Sequence, residues 1–353
     1  MRCAVLGAGW WATYAHIPAL LAHPAADLVA LQKRDRAAAG KVARDFGVPH
    51  ACTSIEEVLA LDLDAVVVSS SADQHYDSTR AALEHGLHVL VEKPMTITAA
   101  QARDLVSLSA REKCHLLISC PWHYTEHASA ARRLIRDGAL GALRMISVLM
   151  TNPVAHLIRG TSTIPTHGQP YLQPHASTYS DAAVAGGGQI YTQVSHAAAY
   201  LAYLTGSVPI DVFARFHCDG GPLDLYDTLN VRLVDGCIAT IASTGATPLD
   251  RRDYEVRVFG TGGALFLDLW NGRMSYWPMA GGEPWTVPDL PPEGIYPERA
   301  PAWNLVDCAA GRASNASPGT LGLASMQIVE AACISARTGR NVAVWELMET
   351  VNV

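Results

Sequence analysis

Along the first 120 residues the apolar positions come in short unbroken runs separated by stretches of helical character. The runs at 3–6, 28–31, 65–68, 88–91 and 115–119 read as strands. Ala65-Val66-Val67-Val68 shows no polar alternation, as a strand covered on both faces requires. Residues 12–21, 37–46, 78–84 and 99–111 read as helices, with Gly47 and Pro49 stopping the second and Gly86 the third. Strands and helices alternating at this spacing predict βαβ units and a parallel sheet between two helical layers.

After about residue 120 the rhythm changes. A helix at 126–136 ends at Gly138, and another follows Gly188. From 212 to 277 the chain reads as long strands with turns, among them the hairpin dipeptides Asp235-Gly236 and Asn271-Gly272. Residues 281–302 are rich in Gly and Pro and read as a surface loop, and 320–337 as a closing helix. The expectation is an α/β domain at 1–120 followed by an α+β domain at 121–353.

Length agrees, since 353 residues is more than twice the roughly 150 of a common domain. A chain 49% apolar and 17% charged can bury a sizeable core. Its net charge of −7, with no basic run, argues against nucleic-acid or anionic-membrane partners. The uncharged stretch 182–210 is interrupted by Gln189, Gln193, Ser195 and His196, so it reads as a buried helix and not a membrane span. The N-terminus reads as a strand, without the pattern of a secretion signal. Eight cysteines without a C-x-x-C pair fit a reducing cytoplasmic compartment.

Gly7-Ala8-Gly9-Trp10-Trp11-Ala12 follows the first strand and opens the first helix. Glycines there let the backbone approach a pyrophosphate, which then sits on the helix N-terminus. The second strand ends in Gln32-Lys33-Arg34, with cations where an NAD-binding chain places an acid. Lys33 and Arg34 suit a 2′-phosphate, so NADP(H) is expected over NAD(H), with NAD still open.

The segment 66–95, with Ser70, His75 and then Glu92-Lys93-Pro94 at a strand end, resembles the Gfo/Idh/MocA oxidoreductases. Gly7 to Ala12, His16 to Leu20, Gly186-Gly187-Gly188 leading to His196, and 335–340 fit the same pattern. The resemblance implies a Rossmann domain, a second domain with a large, open, mainly antiparallel sheet, and self-association as dimer or tetramer. It implies hydride transfer on a sugar-like or polyol substrate. Lys93 would polarise the reacting oxygen and His196 would exchange protons. The chain departs from the family where Thr192 replaces an Asp four residues before His196. Thr192 is expected as a hydrogen-bonding neighbour of His196 and a substrate contact, since a threonine hydroxyl can hydrogen-bond but does not titrate near neutrality. Two other outcomes remain open: redox-neutral glycoside cleavage or elimination on a retained cofactor, and a non-catalytic, regulatory dinucleotide-binding protein.

Three further groups stand out. Trp122, His123 and Tyr124 are expected to line the crevice where the domains meet, with packing at the junction as the alternative. Cys120, His123 and His127 have a superficial metal spacing, but the strand end at Pro121 interrupts it, and no metal is expected. The polar cluster His167, Gln169, Tyr171, His175, Thr178, Tyr179 and Asp181 suits a polyhydroxylated ligand or an ordinary loop, with Tyr179 as a substrate-binding candidate.

Overall fold

A computed structural model describes residues 1–161, 170–279 and 281–348. His167 and Gln169 lie outside the described residues. Strands β1 (Arg2–Leu6), β2 (Asp27–Gln32), β3 (His50–Cys52), β4 (Ala65–Val68), β5 (His88–Val91) and β6 (Leu116–Ile118) form one sheet in the order β3-β2-β1-β4-β5-β6. All its pairings are parallel, which demands the crossover helices that the sequence spacing predicts.

Those crossovers are α1 (Ile17–Ala22), α2 (Arg36–Phe46), α3 (Ile55–Leu59), α4 (Ala72–Glu84) and α5 (Ala99–Arg111). Local chemistry sets several ends. Asp35 accepts from Ala38 N to start α2, which stops at the left-handed Gly47. Thr98 and Gln101 form a reciprocal capping box on α5. Helix α4 begins at Ala72, six residues earlier than its sequence pattern suggests, because its first turns are polar and carry His75 inward instead of an apolar stripe. The first helical segment also differs from the sequence reading. A wide turn over Ala12–His16 precedes α1.

The second sheet has nine strands. They are β7 (Leu143–Thr151), β8 (Pro209–His217), β9 (Tyr226–Leu233), β10 (Ile238–Thr244), β11 (Asp253–Gly260), β12 (Gly263–Asp268), β13 (Arg273–Pro278), β14 (Trp285–Thr286) and β15 (Val342–Ala343). Their order is β14-β13-β12-β11-β7-β10-β9-β8-β15, antiparallel throughout except for β10 beside β7. Burial alternates residue by residue along β9, so one face is covered and the other open. On the covered face lie α6 (Glu126–Arg136), α7 (Ser195–Thr205) and α9 (Gly319–Thr338). Helix α7, in the uncharged stretch, is buried along nearly its whole length. Helix α9 is long and apolar enough to cross a membrane by length and composition, yet most of it is buried against β8, α7 and α5.

The stretch 281–302 is not wholly irregular. It holds β14, a helical turn at Pro292–Ile295 and the start of α8 (Ala300–Ala309). The prolines sit at the first positions of these helical pieces, where a missing N–H costs nothing. Ala302, Leu305 and Val306 of α8 join the core under the first sheet, so the chain returns there long after residue 120.

Candidate active site

A continuous cleft of about 1130 Å³ runs from the C-terminal ends of β1, β2, β4 and β5 to the covered side of the second sheet. At one end is the glycine turn. Gly7 has φ +84°, and a Cβ there would lie 2.4 Å from Ser70 N, so only glycine allows β1 and β4 to meet this closely. At Gly9 a Cβ would meet no protein atom nearer than 3.9 Å. The bare backbone at Gly9 therefore faces open cleft, which fits a bound pyrophosphate and is not required by packing. Trp10 and Trp11 line the cleft beside the glycines, whereas Ala12 is buried behind them.

Lys33 and Arg34 line the same end, with Lys33 Nζ 3.5 Å from the Ala8 carbonyl. Gln32, between the strand and these cations, accepts from Gly7 N at 3.1 Å and donates to the Thr53 carbonyl at 3.1 Å. Ser70 and His75 lie on the cleft wall as well. His75 ties the ends of β4 and β5 together, with Nδ1 2.7 Å from the Pro94 carbonyl and Nε2 3.1 Å from that of Ser70. Burial pulls its pKa below the ordinary imidazole value, so the neutral ring donates through one nitrogen, which we assign to the shorter contact.

Glu92 is a positioning group. Its Oε1 accepts from Trp11 Nε1 and lies 2.8 Å from His16 Nε2. Burial pushes this carboxyl up, but the His16 contact, Ser119 and the Lys93 charge outweigh it and hold the pKa below the ordinary value. Next to it, Lys93 sends its ammonium across the cleft to the Thr192 carbonyl at 2.9 Å, and the following Pro94 also lines the wall. Burial lowers the lysine pKa, with Glu92 opposing.

Thr192 lies in a wide helical turn, Ile190–Val194, that precedes α7. The Asp224 carboxylate anchors this turn by accepting from Gly188 N at 3.0 Å and Ile190 N at 2.6 Å. The Thr192 hydroxyl donates back to the Gly188 carbonyl at 2.7 Å. It is thus engaged within its own helix and does not serve as a hydrogen-bonding neighbour of His196, because the nearest acceptor for its proton is the carbonyl one turn back. The carbonyl of Thr192, not its hydroxyl, meets Lys93.

His196 lines the cleft and packs edge-on against Trp122, with ring centroids 5.3 Å apart. Its Nδ1 is buried without a hydrogen-bond partner. Burial, then the charges of Lys93 and His123, keep its pKa well below the ordinary value, so the ring is neutral.

Of the junction aromatics only Trp122 reaches the cleft. Residues 121–124 form a tight three-residue-per-turn helix, which sends successive side chains about 120° apart. His123 instead lies 2.8 Å from Ser317 Oγ and stacks on Tyr203, and Tyr124 donates to Asn304. Neither lines the cleft, and both pack at the junction. His127 reaches the Pro288 carbonyl, so Cys120, His123 and His127 do not converge. No cluster of three metal-ligating side chains occurs among the described residues.

From the polar cluster, His175, Thr178 and Tyr179 line the cleft, and the Tyr179 hydroxyl accepts from Trp10 Nε1 at 2.9 Å. Tyr171 bonds Lys41 and Asp45 instead, and Asp181 caps a helical turn. Sequence reasoning missed Asn152, Gln193, Arg252, Trp270 and Tyr296, which complete the wall on the side of the second sheet. Gln193 lies within the Gly186–His196 pattern, whereas the other four lie in no motif and Tyr296 falls in the stretch read as loop. Asn152 donates to Gln193 at 2.8 Å, while Trp122, Trp270 and Tyr296 pack together as an aromatic wall.

The comparisons agree with this architecture. A family model described as "Oxidoreductase family, NAD-binding Rossmann fold" matches residues 1–119, and the "GFO/IDH/MocA C-terminal domain" matches 128–266. This chain belongs to the GFO/IDH/MocA family. A dTDP-3,4-didehydro-2,6-dideoxy-alpha-D-glucose 3-reductase of Streptomyces antibioticus is 39% identical over 159 residues, 43% of this chain and 47% of that protein. A 1,5-anhydro-D-fructose reductase of Ensifer adhaerens is 31% identical over 231 residues, 63% of this chain and 62% of its own. The matches thus span less than two thirds of these relatives. Among solved structures, the aldose-aldose oxidoreductase of Caulobacter crescentus has the same fold, with TM-score 0.78 at 24% identity over 97% of this chain and 99% of that one.

Proposed function

We propose that this family member is an NAD(P)-dependent oxidoreductase that moves hydride between the nicotinamide and a hydroxyl-bearing or carbonyl carbon of a sugar-like substrate. The observation that carries the reading is that the glycine cradle, Lys93 and His196 share one continuous cleft. Bound dinucleotide supplies the hydride acceptor or donor. The Lys93 ammonium spends one N–H on the Thr192 carbonyl and has two left to hydrogen-bond the reacting oxygen, favouring the charge that develops there. His196, neutral and facing the cleft, takes up or returns the hydroxyl proton at a ring nitrogen. The aromatic wall of Trp122, Trp270 and Tyr296 offers flat apolar faces to a sugar ring, and Asn152 and Gln193 offer hydrogen bonds. A panel of aldoses, polyols, deoxysugars and keto-sugars offered with NADP(H) or NAD(H) tests this by nicotinamide absorbance. Oxidation or reduction with one class supports the reading. Tight dinucleotide binding with no absorbance change across the panel contradicts it.

We further infer that NADP(H) is preferred. Arg34 has no ion-pair partner among the described residues, and Asp35 beside it is engaged with Ala38 N at 2.7 Å. A 2′-phosphate would therefore meet two cations without a competing acid. Arg34→Ala should weaken NADPH about tenfold and NADH little, since one charge-assisted contact carries that order of energy. Equal weakening of both, or a wild-type preference for NADH, contradicts the assignment. Self-association is proposed through the open face of the nine-stranded sheet, where Met145, Leu149, Ile238 and Trp277 are exposed.

A further inference from the structure

Arg252 lies one residue before β11 and forms part of the wall on the substrate side of the cleft. Its guanidinium carbon sits 5.3 Å from the centre of the Trp270 ring, which pins the group as a planar donor against an aromatic face. Burial lowers its pKa, a direction opposite to that of ion-paired arginines such as Arg80 and Arg340. No carboxylate lies within ion-pairing distance of it among the described residues. The acid next in sequence, Asp253, accepts from Thr151 Oγ1 at 2.9 Å, and Glu298, which also lines the cleft, makes no ion pair with Arg252. A partly desolvated guanidinium with its donors unused is costly unless an anion completes it.

We propose that Arg252 binds an anionic group, a carboxylate or phosphate, carried by the substrate away from its reacting carbon. This rests on the sugar-oxidoreductase reading and narrows it to sugar acids or to phosphorylated and nucleotide-linked sugars. A guanidinium forks onto either oxyanion through two parallel N–H bonds, which neutral sugars cannot match. Trp270 behind the fork limits its rotation, so the anion fixes the position of the rest of the sugar relative to Lys93.

The test is binding by calorimetry to dinucleotide-loaded protein, with matched ligands: glucose, glucuronate, glucose 6-phosphate and dTDP-glucose. The wild type should bind at least one anionic ligand about tenfold or more tightly than glucose, as one charge-assisted fork contributes. Whether the carboxylate or the phosphate ligands gain identifies the source of the anion. Arg252→Gln should abolish the preference and Arg252→Lys should keep part of it, with dinucleotide affinity unchanged in both. Equal binding of charged and neutral ligands by the wild type overturns the proposal, and needs no variant to fold. A preference that survives in Arg252→Gln, or a dinucleotide affinity that falls tenfold with it, also overturns it. Nicotinamide absorbance is recorded in the same titrations. Anion preference without any redox change sinks the oxidoreductase reading alone, while redox turnover without anion preference sinks only the role of Arg252.

Discussion

At the dinucleotide end of the cleft the signature side chains are tied to one another. Gln32 holds Gly7 N, Glu92 holds Trp11 and His16, and both ring nitrogens of His75 face carbonyls. At the substrate end polar groups lack partners: His196 Nδ1, Trp122 Nε1 and Trp270 Nε1 are buried without one, and the half-buried Arg252 guanidinium has no ion-pair partner among the described residues. The first arrangement is a finished scaffold that holds a common ligand in one geometry. The second leaves donors and rings to be completed by a ligand, which is where members of one fold can differ in substrate. Lys93 joins the two, with its backbone in the scaffold and its ammonium on Thr192 across the cleft.

The largest effect is expected at that joint. Lys93→Met keeps the bulk of the side chain and removes the donor, and should lower kcat roughly 10²–10⁴-fold with dinucleotide affinity within a few-fold of wild type. A variant with near-normal kcat would mean that the two ends do not meet at Lys93.

Protonation gives a middle-sized effect. His123 and His196 are buried, and burial lowers both pKa values, that of His123 to about 3 from 6.5. The unfolded chain binds these protons first as pH falls. Their contribution to stability is therefore complete above pH 6.5 and is lost below it, towards pH 3 for His123, by up to about 1.4 kcal/mol per pH unit per group. His123→Gln should make the fall of melting temperature below pH 6.5 shallower. Identical pH profiles for variant and wild type would remove His123 from the account.

The smallest effect is expected at the residue that looks most unusual in sequence. Thr192→Val deletes a hydroxyl that bonds Gly188 and keeps the carbonyl that bonds Lys93. Turnover should change by less than about threefold, while stability falls by about 1 kcal/mol. A loss comparable to that of Lys93→Met would place the hydroxyl itself in the chemistry.

The same contrast explains what could be read before the structure. The dinucleotide end is local: strand, glycine turn and helix are contiguous, so Gly7, Gly9, Lys33 and Arg34 could be assigned from their placement, and Glu92-Lys93-Pro94 from the family resemblance that this strand-end triplet carries. The substrate end is assembled from distant segments. Asn152 leaves β7, Arg252 enters β11, Trp270 follows β12 and Tyr296 lies in a Pro-rich connection, and no short pattern links them. His123 and Tyr124 are expected in the cleft with Trp122 because the three follow the last strand of the first sheet, where the domains meet. A tight helical turn separates adjacent side chains in a way that residue type alone does not reveal. Thr192 shows the same limit, since replacement of an acid draws attention to a side chain when its backbone carbonyl makes the contact.

The central claim is that hydride passes directly between sugar carbon and nicotinamide beside Lys93. Its most direct measurement follows deuterium from perdeuterated sugars into NADP by mass spectrometry, using the sugar class that binds dinucleotide-loaded protein. The account predicts label on the nicotinamide ring with the wild type and label arriving roughly 10²–10⁴-fold more slowly with Lys93→Met. Sugar binding without any label on the nicotinamide of the wild-type protein would contradict it.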